Sequence, residues 1–177
     1  MRTLPRLGAV NAAIVALYFA PVWAADGLSA LTSPFYGFEN PAHAAAAAYF
    51  RGMFDFGLVG LVRTSSVLAA IKFVIAVGFV AYLIDFARAL AVGREPDRET
   101  CDLVLAFAAP ALMLWAWPAL ETGDAGLIRL QATQFLLLCG AMLVIAVESH
   151  IEEAAGSAME PPAVQPAVLA PVSAQAT

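Results

Sequence analysis

Four stretches of the chain are long and apolar enough to cross the roughly 30 Å of hydrocarbon in a bilayer, which takes about 20 residues of helix. They run over residues 7–28, 64–92, 102–121 and 126–149, each bounded by charges or turn formers such as the "ETGDAG" between the last two. Water-soluble domains of this size leave much of their surface exposed. A 177-residue chain with 62% hydrophobic and only 13% charged residues therefore has too little polar surface for water. The expected fold class is an all-α integral membrane protein, with a transmembrane helical domain over residues 1–153 and the lipid bilayer as its solvent.

The first segment also resembles a secretory signal: Arg2 and Arg6, an apolar core, then Val22 and Ala24 before a possible cut at Ala25. Asn11 interrupts that core, so a retained span is expected. Beyond Glu153 the sequence turns Pro- and Ala-rich with almost no charge, and residues 154–177 are expected to form a disordered tail.

Between the first two spans lies "ENPAHAAAAAYFRGMFDF". Asn40 suits an N-cap and Pro41 the first helical position. His43, Arg51 and Asp55 fall within about 120° of arc, opposite Phe50, Phe54, Leu58 and Leu61. The pattern predicts an amphipathic helix over residues 41–62, lying in the interface rather than crossing it. Basic residues gather on the cytoplasmic side of membranes. Arg2 and Arg6 precede the first span, while Arg88, Arg94 and Arg98 follow the second. Placing both groups on one side requires two crossings between them, hence cytoplasmic termini and residues 41–62 at the outer interface.

Gly8, Ala12, Ala16, Ala20 and Ala24 recur every four residues, a spacing that lets helix backbones approach closely in lipid. Ionisable and amide groups at membrane depth are candidates for function, here Lys72, Gln131, Gln134 and Glu148. Lys72 is either a counter-ion or proton carrier, or a chain that snorkels to the outer interface. Gln134 and Glu148 return to nearly the same face, but Leu138, Ala141 and Ile145 lie between them, so the glutamines are expected to bond to a neighbouring helix. Asp85 and Arg88 are spaced to pair, and Trp115 and Trp117 are expected in the aromatic belt. The face carrying His43, Arg51 and Asp55 is expected to dock a partner or cover an outer cavity.

Cys101 and Cys139 have neither disulfide nor metal-ligand spacing, and "ESHIEE" reads as a solvated helix end. With no nucleophile–base pair, phosphate loop or metal motif, catalysis, a cofactor and a metal are not expected. The absence of a basic stripe argues against nucleic acid. The Ala- and Arg-biased composition, with Lys72 the one lysine among nine basic residues, points to a bacterial inner membrane. Two functional classes follow: a non-catalytic subunit or assembly factor of a larger membrane complex with other membrane protein subunits as partners, or a small transporter or channel component moving a proton or small solute.

Overall fold

A computed structural model describes residues 6–33, 35–55 and 57–159, and these form five helices. They are α1 (Leu7–Thr32), α2 (Pro41–Phe54), α3 (Leu58–Val92), α4 (Arg98–Thr122) and α5 (Ala125–Met159). All but α2 are long and apolar enough to cross a membrane. The predicted tail falls largely outside the described residues, and its first part, through Met159, continues α5.

The expected helix over 41–62 is in fact two helices. Asn40 caps α2 as predicted, its side chain accepting from the Ala42 and His43 amides at 3.0 and 3.3 Å. The helix stops after Phe54 because Asp55 takes a left-handed conformation, φ 51°, its amide donating back to the Arg51 carbonyl. Gly57 then caps α3, so Leu58 and Leu61 belong to the long apolar helix and not to α2. Fourteen residues of α-helix rise about 21 Å, and Ala46 and Ala47, fully buried, pack α2 against Leu68 and Trp115.

The small-residue row on α1 is largely buried, with Gly8, Ala12, Ala16 and Ala20 inside and Ala24 half-buried. A step of four residues overshoots a turn by about 40°, so the row winds round the helix and meets different neighbours. A Cβ on Gly8 would sit 2.3 Å from Glu148 Oε2 of α5. Further along, a Cβ on Gly27 would sit 2.9 Å from the Ala69 carbonyl oxygen of α3. On α3 the buried residues Ser65, Leu68, Lys72, Ile75, Phe79 and Tyr82 alternate by three and four, the repeat of a packed helical seam. Phe19 and Phe79 stack across α1 and α3 with centroids 5.7 Å apart, and Leu105, Leu112 and Leu138 complete the core.

Two contacts fix which helix ends lie together. Arg6 Nε meets Glu95 Oε1 at 3.2 Å, and the Gly8 amide donates to Glu148 Oε2 at 3.1 Å. The start of α1, the α3–α4 connection and the C-terminal part of α5 therefore share one end. Helix α2, the turn before it and the α4–α5 connection share the other.

Candidate functional site

The densest group of buried polar side chains is built where α1, α2, α3 and α4 meet, on the α2 side of the Phe19–Phe79 stack. Lys72 is only 5% exposed. Its Nζ donates to Asp26 Oδ2 of α1 at 3.0 Å and lies 4.7 Å from the centre of the Trp115 ring of α4. One cation thus joins three helices through an ion pair and a cation–π contact. The side chain does not snorkel outward, because it stands on the inward seam of α3, seven residues from both Ser65 and Phe79.

A second layer caps this one. His43 of α2 is buried, its Nε2 2.8 Å from Ser65 Oγ. The Ser65 hydroxyl has a single proton, which goes in a short hydrogen bond to the Tyr36 carbonyl oxygen. Ser65 Oγ is therefore the acceptor for His43, and Nε2 carries a proton. Tyr36 and Gly37 both have positive φ, 55° and 80°, which turns the chain so that the Tyr36 carbonyl meets Ser65. Gly37 is required twice over: a Cβ there would sit 2.5 Å from the Ala30 Cβ and 3.0 Å from the His43 ring. Burial lowers the His43 pKa below its ordinary value, and the positive charge of Lys72 lowers it further; the bond to Ser65 and the charge of Asp26 oppose this and do not win. The neutral imidazole is the form the site holds.

The predicted polar face of α2 is divided. His43 turns into the bundle, whereas Arg51 and Asp55 are exposed. The reason lies in residue size: Ala42, Ala46 and Ala47 form the buried stripe and bring the α2 backbone close to its neighbours, carrying His43 in with them. Phe54 is left 56% exposed. Trp115 is 1% exposed and Trp117 53%, so of the two only Trp117 is open enough for an interfacial belt.

Gln131 and Gln134 of α5 are both buried, and Gln131 Oε1 has no hydrogen-bond partner among the described residues. Between Gln134 and Glu148, Leu138 and Ala141 are buried in the core. Glu148 lies at the opposite end from Lys72, in a small cleft of about 50 Å³ with Arg6, Tyr82 and Cys101 among its walls. Asp85 binds the Arg94 side chain and accepts from the Asp97 amide at 2.8 Å, bracing the α3–α4 connection. Arg88 is exposed beside it.

Sequence reasoning missed Asp26 and Ser65 and assigned Trp115 to the belt. Asp26 carries a signal that an apolar helix seldom shows without cause: an acid three residues after a tryptophan, well before the helix ends. Comparisons of the chain with protein-family models, with characterised proteins and with solved structures gave no match.

Proposed function

We propose that the chain is a non-catalytic integral membrane subunit or assembly factor of a larger complex in a bacterial inner membrane. In this reading α2 lies at the outer interface and both termini face the cytoplasm. The shared end of Arg6, Arg88 and Arg94 agrees with the positive-inside preference. Labelling a cysteine at Gly52 from outside, but not one at Glu99, checks that orientation.

The observation that carries the functional reading is the way Lys72 is held. Its ammonium is committed to Asp26 and to the face of Trp115, in a site packed by large side chains. Ammonium groups that relay protons or contact a solute need a wetted approach on both sides. Here Phe19, Trp23 and Phe79, each at most 2% exposed, fill the bundle between Lys72 and the Glu148 end. Such an arrangement favours a scaffold over a transporter. Interfaces between membrane helices are made by packing and polar contacts rather than by hydrophobicity. Helix α5 offers the most surface for this, with only 22% of its most apolar stretch buried within the chain.

Purification in mild detergent tests the proposal. Recovery of a second membrane protein at fixed stoichiometry is expected. A homo-oligomer that moves a solute in liposomes would overturn it in favour of a transport component.

A further inference from the structure

Helices α3 and α4 flank an apolar groove of about 790 Å³, with Val67, Ile71, Val74, Gly78, Phe107 and Leu114 among its walls. A second cavity of about 460 Å³ continues it toward α2, sharing Val67, Ile71 and Leu114 and ending beside Phe50, Phe54 and Arg63. From these dimensions we infer that the groove is a specific site for one membrane glycerophospholipid, with its phosphate on Arg63 and an acyl chain along α3 and α4.

Three features single out this occupant. The first is length. Val67 to Gly78 spans about 16 Å of helix, which is one leaflet of a hydrocarbon core about 30 Å thick. The second is width. Spread over that length, 790 Å³ gives a cross-section of about 50 Å². A cross-section of that size admits hydrocarbon chains, and the walls that face it are apolar like them. Third comes charge. Arg63 is exposed at the groove's mouth, about 6 Å of helix above Val67, and has no carboxylate partner among the described residues. It also directly precedes Thr64, where the apolar stretch 64–92 begins, and so stands where hydrocarbon gives way to headgroups. That is the depth of a lipid phosphate, and a guanidinium binds phosphate oxygens with two parallel N–H donors.

Gly78 explains where the groove ends. A Cβ there would sit 2.9 Å from Val104 Cγ2, so the two helices close together at that level. An acyl chain entering beside Arg63 meets this constriction after one leaflet's depth.

The test compares two ligands with identical acyl chains, phosphatidylglycerol and the phosphate-free diacylglycerol, titrated onto delipidated whole protein and read by native mass spectrometry. The wild type is expected to bind one phosphatidylglycerol about tenfold tighter than diacylglycerol, the size of one charge-assisted contact. Arg63→Gln should abolish that preference while still binding the chains. Ala70→Trp, which places a large side chain on an exposed groove wall, should weaken both ligands. Unchanged melting temperatures show that both variants fold. Equal affinity of the wild type for the two lipids, a full preference in Arg63→Gln, or wild-type binding by Ala70→Trp would each overturn the inference.

Discussion

At the α2 end of the bundle Lys72 is 5% exposed and is held by Asp26 and Trp115. At the opposite end Arg6 and Glu95 pair at a similar distance but keep 42% and 50% of their side-chain surface open. The two sites contain the same kind of ion pair in different surroundings. Exposed pairs gain little, because water and salt compete for both charges. A buried pair also gains little over apolar residues of the same shape, yet removing one member leaves an uncompensated charge inside. Retaining Lys72 in such a place is therefore costly unless its partners are in position. We read the site as a device that makes the arrangement of α1, α3 and α4 specific, while the Arg6 pair only trims the bundle's end.

Three substitutions sharpen this contrast. Asp26→Ala has the largest expected effect, a loss of about 3 kcal/mol. That is the lower part of the range for breaking a buried pair, because Asp26 keeps 34% of its side chain open. Unfolding in a mild detergent measures it, and a loss comparable to that of Arg6→Ala would erase the distinction between the ends.

Next comes the pH response of the cap over the site. The His43 pKa is lowered in the folded protein, so the unfolded chain binds the proton more readily. Stability from this group is present above the unfolded value near 6.5 and is lost as pH falls through it toward the folded value. The melting temperature should fall on acidification below about pH 6.5, the unfolding free energy changing by at most about 1.4 kcal/mol per pH unit for one proton. His43→Gln retains a donor for Ser65 and should flatten that part of the profile. An unaltered profile would place the acid sensitivity elsewhere.

The smallest effect belongs to Arg6→Ala. A loss below about 1 kcal/mol is expected, shrinking further as salt is raised. Thermal unfolding at low and high ionic strength reads both.

Much of the architecture was legible in the sequence because it follows from one-dimensional patterns. Spans bounded by charges, the Asn40–Pro41 start of α2 and the small row on α1 all appear as local composition or spacing. What escaped was the boundary at Asp55, where an ordinary residue takes a left-handed conformation that composition does not announce. The candidate site escaped for a different reason. Asp26 and Lys72 are 46 residues apart, and no periodicity within either helix reports a contact between them. The inward direction of Lys72 was nonetheless written in α3. Leu68, Ile75, Phe79 and Tyr82 share its alternating three–four spacing, and a residue on that seam faces the core whatever its charge. A reading of Lys72 that neglects the seam leaves snorkelling open, and the seam overrides it. The same neglect of neighbours put Trp115 in the belt, although its ring is the surface on which the Lys72 ammonium rests.

A double-mutant cycle between Asp26 and Lys72, using Asp26→Leu, Lys72→Met and the double variant, tests the central claim most directly. If the pair locks the helices, each single change should be destabilising and the apolar double variant should recover most of the loss, with a coupling of at least about 1.5 kcal/mol. Additive losses within about 0.5 kcal/mol would mean that the two charges act independently, and the account of Lys72 as a clamp would be wrong.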